Sequence, residues 1–168
     1  MMGILTLVKT LNLPDWWVCA GFVRSKIWDV LHGFEARTPL QDVDVIYFDP
    51  VNTGEADEKI LEGKLKALRP DIPWSVKNQA RMHVINNLPP YSSAVDGISK
   101  FPETVTALGV KLDENDRIIL AAPWGIGDVI DLLVKPTPLF SNAELKRVYD
   151  VRINKKNWKA TWKLLKIT

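Results

Sequence analysis

The 168-residue sequence has one cysteine, two histidines and no long apolar run. Cys19 cannot form an intramolecular disulfide, which favours the reducing cytoplasm as its location. No apolar stretch approaches the roughly 18 residues that a membrane-spanning helix needs, so we expect no membrane partner. Lys and Arg number 22 against 20 Asp and Glu, and a net charge of +2 does not by itself indicate a polyanion-binding protein.

The composition is that of an ordinary globular protein. Hydrophobic residues make up 46% of the chain and charged residues 25%, which argues against disorder and against a fibrous protein. The length suits a single domain over residues 1–168. The seven tryptophans are a high number for this length, and we expect several of them to anchor the core.

The pattern of apolar residues predicts alternating helices and strands. Helices are expected over residues 3–12, 22–32, 55–68 and 94–101, with helical stretches at 79–85 and 126–133. Strands are expected at 16–20, 43–48, 73–78, 104–112 and 117–121, the last two joined as a hairpin by the turn DENDR. Ser141 and Glu144 match a capping box at the start of a C-terminal helix. This order predicts an α/β (α+β) domain with a mixed β-sheet flanked by helices.

The segment DVDVIYF carries two acids on a predicted strand. Side chains alternate across a strand, so Asp42 and Asp44 point to one face with Cα atoms about 6–7 Å apart, at a rise of roughly 3.3 Å per residue. Two neighbouring carboxylates repel each other, and a divalent cation between them removes that repulsion. Mg²⁺ prefers oxygen ligands and commonly uses one or two carboxylates together with substrate phosphates. An exposed strand edge with two solvated acids is the alternative interpretation.

The segment WVCAGFVR predicts a strand, a glycine turn and the start of a helix. Free backbone N–H groups at a helix start attract phosphate, and Gly21 lets the backbone approach a triphosphate closely. Arg24, one turn into the helix, can add a charged clamp. A plain turn with a surface arginine is the alternative. A phosphate-binding turn followed about twenty residues later by an acidic strand supplies both halves of a nucleotide–metal site.

This arrangement resembles the nucleotidyltransferases of the DNA polymerase β superfamily. The segment AGFVR is similar to the glycine turn and arginine of tRNA nucleotidyltransferases, which also precede an aspartate pair on a strand. Within the superfamily, the chain is similar to a bacterial nucleotidyltransferase-like family. The strings that carry this resemblance are AGFVRSKIWD, DVDVIYFD, WSVKNQARMH, PY, FPET and APWGIGD, and they extend from about Trp16 to Trp162.

The resemblance implies a nucleotidyltransferase fold and metal-dependent transfer. Asp42 and Asp44 would be the catalytic residues and would hold Mg²⁺ or Mn²⁺. The metal would bind the phosphates of a nucleoside triphosphate, and an acceptor hydroxyl would attack the α-phosphorus and release pyrophosphate. The acceptor, which could be a small molecule, an RNA or a protein, does not follow from the sequence.

The chain departs from the superfamily at the third carboxylate, which usually comes from a neighbouring strand. The strand WSVKN offers Ser75 at that place. Asp128 or Glu103 could supply an acid from a loop, whereas alternation puts Asp49 on the opposite face from the pair. A nucleotide- or metal-binding module without turnover is therefore a second hypothesis.

Two further segments combine polar, basic and aromatic residues. In KNQARMH, the residues Lys77, Asn78 and Arg81 are predicted to surround the nucleotide, or alternatively to form a polar cluster that positions a helix. The tail KKNWKATWKLLKIT could bind single-stranded nucleic acid by stacking and charge, which gives an RNA-binding protein as a third hypothesis. The spacing of Trp158, Trp162 and Leu165 favours instead a helix that buries its tryptophans.

Overall fold

Helices and strands alternate along most of the chain, which confirms the predicted α/β (α+β) class. The computed structural model describes residues 1–168, apart from the side chain of Asn86. The helices are α1 (Met2–Lys9), α2 (Gly21–Leu31), α3 (Glu55–Leu68), α4 (Gln79–Met82), α5 (Ala94–Ser99), α6 (Gly127–Ile130) and α7 (Ala143–Lys156). The strands are β1 (Trp17–Cys19), β2 (Val43–Tyr47), β3 (Trp74–Asn78), β4 (Gly109–Leu112), β5 (Ile118–Ala121), β6 (Leu133–Val134) and β7 (Lys166–Ile167).

The larger sheet has five strands in the order β3-β2-β1-β4-β5. Strands β2 and β3 run parallel, and the other neighbouring pairs are antiparallel, so the sheet is mixed as predicted. The register places Asp44 between Cys19 of β1 and Ser75 of β3. Strands β6 and β7 form a separate parallel pair near the C-terminus.

Strand β2 separates two hydrophobic clusters. Val43, Val45 and Tyr47 belong to the larger cluster, and Ile46 belongs to a smaller cluster that includes Ile98 of α5. Because successive side chains of a strand point to opposite faces, Asp44 projects on the face of Ile46. One face of β2 thus stabilises the core, and the other combines apolar packing with an acid.

Glu58 is a buried acid that joins α3 to β3 and α4. It is fully buried and accepts two hydrogen bonds of 2.7 Å from Arg81, one of 2.8 Å from the Asn78 backbone N–H and one of 3.2 Å from Lys77. Burial by itself raises the pKa of Glu58. The hydrogen bonds from Arg81, Asn78 and Lys77 outweigh burial and hold this pKa below its ordinary value of 4.5.

Replacing Glu58 by Gln is therefore expected to lower the free energy of unfolding by about 3 kcal/mol near neutral pH. Because the pKa of Glu58 is depressed in the folded state, the stabilisation that ionised Glu58 supplies is complete at a pH above its ordinary pKa. This stabilisation is lost as the pH falls through the folded-state pKa. Urea unfolding at several acidic pH values should show a flatter acid limb for Glu58→Gln. The exposed Glu55→Gln is the matched control, and equal pH profiles for Glu58→Gln and wild type would contradict the prediction.

Two predicted strand and helix boundaries were wrong. The strand expected from Thr104 begins only at Gly109, because residues 104–106 form a turn in which Thr106 Oγ1 donates a 2.7 Å hydrogen bond to Glu103. The helical stretch expected over 126–133 is α6, which ends at Ile130, and Leu133 starts β6. At residues 104–106 a local hydrogen bond overrides the apolar pattern, and at Leu133 the pairing with Lys166 of β7 overrides it.

The C-terminal segment also differs from its prediction. Helix α7 is capped by Asn142, whose side chain accepts from the Leu145 N–H, and not by Ser141. The helix ends at Asn157, which adopts a left-handed conformation, and a 3-10 turn over Trp158–Ala160 replaces the predicted tail helix. Trp158 and Trp162 are nevertheless buried in the larger cluster, as expected of core anchors.

In the described part of the chain, no helix is both long enough and apolar enough to cross a membrane.

Candidate functional site

A cleft of about 540 Å³ opens beside the start of β2. Three segments that are distant in sequence form its walls: the turn between β1 and α2, residues 38–44, and the C-terminal part from α7 onward. The lining includes the acids Asp42 and Asp44, the cations Arg24, Arg152 and Lys156, and the two tryptophans 158 and 162. Acids on one wall and cations on the others make the cleft suitable for a metal-bound anion.

The two acids of the DVDV segment line the same cleft. Asp42 immediately precedes β2, and Asp44 lies within it. Burial raises the pKa of Asp44, the neighbouring charge of Asp42 raises this pKa further, and a hydrogen bond with Ser75 lowers it in part. The carboxylates are therefore close enough to repel each other in the free protein, and a cation held between them would relieve that repulsion.

The neighbouring strand offers no third acid at this point. Ser75, the β3 residue in register with Asp44, is the residue that hydrogen-bonds it. Over the residues that the structure describes, no group of three or more His, Cys, Asp or Glu side chains could hold a metal ion. Glu103 is paired with Arg152 at 2.6 Å, and Asp128 with Lys135 at 3.0 Å. Asp42 and Asp44 are thus a two-carboxylate set.

The turn between β1 and α2 lines the cleft with Ala20 and Gly21. The Ala20 carbonyl accepts hydrogen bonds from the Val23 and Arg24 N–H groups, whereas the N–H groups of Gly21 and Phe22 have no partner among the described residues. A methyl group added to Gly21 would lie 3.7 Å from Asp42 Oδ1 and 3.5 Å from Arg24 Nη2. The turn, the acid and the arginine therefore surround one small space.

Ala20 adopts a conformation that normally requires glycine. Its φ of 52° and ψ of −118° bring its side chain close to its own backbone, at a cost of about 1–3 kcal/mol. A glycine at this position would remove that cost, but part of the gain is offset because glycine makes the unfolded chain more flexible. Ala20→Gly is therefore expected to raise the free energy of unfolding by about 1 kcal/mol. Urea unfolding of the variant and of wild type measures the difference, and a clear loss of stability would contradict the prediction.

Arg24 is a buried cation with few hydrogen-bond partners. Its residue is 7% exposed, and its guanidinium carbon lies 4.2 Å from the Trp158 ring centroid and 4.9 Å from that of Trp28. Nη2 contacts Ser25 Oγ at 3.4 Å, and Nε has no partner within the described structure. Burial lowers the pKa of Arg24 to about 10. A desolvated cation that lines a cleft and has few hydrogen-bond partners of its own is suited to bind an oxyanion.

Asp29 of α2 fixes the cleft walls in relation to each other. It is 2% exposed and accepts hydrogen bonds from the Thr38 N–H at 2.9 Å and from Trp162 Nε1 at 2.9 Å. The loop before β2 and the C-terminal segment are therefore attached to the same helix that begins at Gly21. The rings of Trp158 and Trp162 pack edge-on against Trp28 at centroid distances of 5.6 and 5.2 Å.

The sequence did not indicate Arg152 and Lys156, which reach the cleft from α7. They are four residues apart and so lie on one helix face. Arg152 donates a 2.6 Å hydrogen bond to Glu103, which is fully buried and also accepts from Thr106. In the sequence, the i,i+4 spacing of these two cations was the feature that could have indicated a shared basic helix face. The buried carboxylate that orients Arg152 has no sequence signature.

Other predicted nucleotide contacts lie elsewhere. Arg81 is bound to Glu58, and the Asn78 side chain bonds the backbone of Asp49, Asn52 and Ala80, so neither is among the residues that line the cleft. Lys77 also pairs with Glu58 and lines a second, adjacent cleft. His83 packs against Tyr91 at 6.0 Å between centroids.

Comparison with known proteins shows the family of the chain and confirms its fold. The model of a family described as nucleotidyltransferase matches residues 6–167. A protein whose NMR structure is described as revealing a CCA-adding enzyme head domain is 38% identical, with a TM-score of 0.90, over 99% of this chain and 88% of that one. No curated protein sequence matches the chain significantly.

More distant solved structures share the fold alone. One is a tRNA nucleotidyltransferase complexed with a primer tRNA and an incoming ATP analogue, at 17% identity and a TM-score of 0.60 over 100% of this chain and 46% of that one. Another is a Thermotoga maritima CCA-adding enzyme complexed with tRNA, at 14% identity and a TM-score of 0.58 over 99% and 38%. The chain thus spans less than half the length of these enzymes.

Proposed function

Because this chain belongs to the nucleotidyltransferase family, we propose that its first cleft binds a nucleoside triphosphate with a divalent cation and transfers the nucleoside monophosphate to an acceptor hydroxyl. One observation carries the proposal. Two adjacent acids, the backbone of Gly21 with its unpartnered N–H group, and an under-bonded buried arginine all line the same cleft. The two acids lack a counter-cation, and the N–H group and the arginine lack hydrogen-bond acceptors. A metal triphosphate would supply both the cation and the acceptors.

Asp42 and Asp44 are the proposed metal ligands and catalytic residues. Their donor atoms are carboxylate oxygens, and two carboxylates together with substrate phosphates suit Mg²⁺ or Mn²⁺. When bound, such a cation would neutralise phosphate charge as the bond to the α-phosphorus is exchanged. Ser75, which is in register with Asp44 and partly offsets the rise in its pKa, would help to orient this carboxylate.

We assign the phosphates of the nucleotide to the cleft wall opposite the two acids. The N–H group of Gly21 would donate to a phosphate oxygen at the positive end of α2, an eleven-residue helix. Arg24 would add a charge-assisted hydrogen bond from its guanidinium group, and Lys156 would balance the remaining negative charge. These residues position the triphosphate, and in-line attack by the acceptor hydroxyl then releases pyrophosphate.

A nucleotide-binding module without turnover is the second candidate, favoured by one observation. Ser75 stands where a third carboxylate would be expected to activate the acceptor. The contacts of Asn78 and Arg81 favour a role in positioning β3 and α4. The third hypothesis, RNA binding by the tail, loses its stacking surface because Trp158 and Trp162 are 5% and 7% exposed.

Thermal unfolding with each of the four nucleoside triphosphates and Mg²⁺ tests the proposed binding. At ligand concentrations roughly 100 times Kd, we expect a rise in Tm of about 5–10 °C, which EDTA should remove. The absence of any Mg²⁺-dependent rise with all four nucleotides would overturn the proposal.

Isotopic labelling distinguishes transfer from binding. With a triphosphate labelled at the α-phosphorus, transfer moves the label to an acceptor and releases unlabelled pyrophosphate. Tight binding without label transfer to small-molecule, RNA or protein acceptors would favour the binding module. Transfer of a γ-label would identify a kinase and would contradict the proposal.

A further inference from the structure

A second cleft of about 270 Å³ lies on the other side of Asp44. Ala20, Asp44 and Arg152 line both clefts, so the two spaces meet at the proposed metal ligand. Its floor includes Ile46 and Lys77, which are paired in register on β2 and β3. A molecule in this cleft would reach Asp44 beside Ile46 and Lys77, whereas Gly21 and Arg24 line the first cleft and not the second.

Gln79 places a side-chain amide in this cleft. The residue is 4% exposed and lines the cleft, and no hydrogen bond joins its side-chain amide to the described residues. An amide that faces a cleft without a protein partner can donate to, and accept from, a bound molecule. A methyl group added to Gly97 would lie 2.5 Å from Gln79 Oε1, so the absence of a side chain at Gly97 leaves room for this amide. The arrangement indicates a ligand that hydrogen-bonds to Gln79.

The remaining lining defines the chemistry of that ligand. Lys77, Lys100 and Arg152 surround the cleft, and Asp44 is its one lining acid. Each of the three cations is paired with one acid, Glu58, Asp96 or Glu103, and keeps further N–H donors. They can therefore donate to one small anionic group but do not form the open track of cations that a phosphate backbone requires. Side chains that include Met82 and Phe101 form an apolar wall. The volume suits a small molecule with an apolar part and one anionic group.

We propose that the second cleft holds the acceptor, and that this acceptor is a small organic molecule with a hydroxyl and a carboxylate or phosphate group. The inference depends on the proposed function. The acceptor oxygen forms a bond to the α-phosphorus, the bond from that phosphorus to the bridging oxygen breaks, pyrophosphate leaves, and the hydroxyl proton passes to water. Gln79 and the cations select the acceptor, whereas the turn at Gly21 selects the triphosphate.

Direct binding in the absence of nucleotide is the first test. The probes are 3-phenyllactate and glycerol 3-phosphate, with 3-phenylpropane-1,2-diol and glycerol as their neutral counterparts. We expect at least one anionic probe to shift the side-chain N–H₂ resonances of Gln79 at millimolar concentration, and the neutral counterparts to bind more weakly. If neither anionic probe binds, or if the neutral ones bind equally well, the proposal is overturned.

Variants of the cleft provide the second test. Gln79→Leu and Gly97→Ala should each weaken probe binding by about 10-fold or more, because one removes the amide and the other displaces it. Gln41→Leu, the same change on the other cleft, should leave probe binding unchanged. The Kd for the Mg²⁺–triphosphate complex should stay within about 2-fold of wild type in Gln79→Leu and Gly97→Ala, since neither residue lines the first cleft. Unchanged probe binding in both variants would overturn the proposal.

A transfer assay with α-labelled triphosphate completes the test. The anionic probes compete with an RNA oligonucleotide that carries a free 3′-hydroxyl. Label on a probe supports the proposal, and label on the RNA alone overturns it. If the protein binds no Mg²⁺–triphosphate, the proposed function fails, and the probe-binding experiment then reports separately on the second cleft.

Discussion

Asp44→Asn is expected to reduce nucleotidyl transfer by at least about 10³-fold, because it removes one of two carboxylates that would hold the metal beside the reacting phosphorus. Asp42→Asn should have a similar effect. The double variant should lose the Mg²⁺-dependent rise in Tm with nucleoside triphosphate altogether. Label transfer and thermal unfolding measure the two effects on the same preparations.

Asp49→Asn is the matched control for these variants. Asp49 follows β2 but is not among the residues that line either cleft, and its carboxylate accepts from the Val51 and Asn52 N–H groups. An asparagine oxygen can accept the same hydrogen bonds, so nucleotide binding should be unchanged. If Asp42→Asn and Asp44→Asn behaved like this control, the metal assignment would be wrong.

Asp44→Asn should also stabilise the metal-free protein. Burial first, and the charge of Asp42 second, raise the pKa of Asp44 above its ordinary value of 3.8. The ionised form therefore disfavours the folded state, and the stability that protonation of Asp44 supplies is lost as the pH rises through the raised pKa. The stability gain of Asp44→Asn over wild type should grow with pH across this window and then level off.

The sequence predicted the local parts of the site because their causes are local. Helix α3 occupies residues 55–68 as expected, with three acids in its first turn and Lys66 in its last. The alternation of polar and apolar residues in β2 was sufficient to place Asp42 and Asp44 beside each other, and the order strand, glycine and helix predicted the turn at Gly21.

The C-terminal wall of the cleft was not predictable in this way. Arg152 is positioned by Glu103, which is 49 residues earlier in the chain, and Trp162 is fixed by Asp29, which is 133 residues earlier. Charged residues that are buried among tertiary contacts have the same local pattern as solvated ones. The left-handed residue Asn157 then changes the direction of the chain, so that the tryptophans meet the core from a turn and not from a helix face.

Arg24→Met is expected to raise the Kd for the Mg²⁺–triphosphate complex by about 10–100-fold, since a charge-assisted hydrogen bond contributes about 1.5–3 kcal/mol. The loss should be similar for all four nucleotides, because the proposed contact is with phosphate. Nucleoside binding should be unaffected. Isothermal titration with triphosphate and nucleoside measures both affinities.

Arg24→Lys tests whether geometry matters as well as charge. A lysine restores the positive charge but lacks the planar guanidinium group that stacks on Trp158 and its forked set of N–H donors. We therefore expect Arg24→Lys to recover only part of the lost affinity. Full recovery would show that Arg24 acts as a simple point charge.

Arg24→Met should also leave the free protein as stable as wild type or make it more stable, because it replaces an under-bonded buried cation by an apolar side chain of similar length. Asp44→Asn is likewise expected to stabilise the free protein and to weaken nucleotide binding. Each substitution relieves an electrostatic cost in the empty cleft and removes a group that would bind the ligand. A residue that only stabilises the fold, such as Glu58, should behave differently and lose stability with and without nucleotide. Urea unfolding of Arg24→Met and Glu58→Gln, with and without the Mg²⁺–triphosphate complex, separates ligand-binding residues from residues that only stabilise the fold. A large loss of stability in Arg24→Met without ligand would show that Arg24 only stabilises the fold.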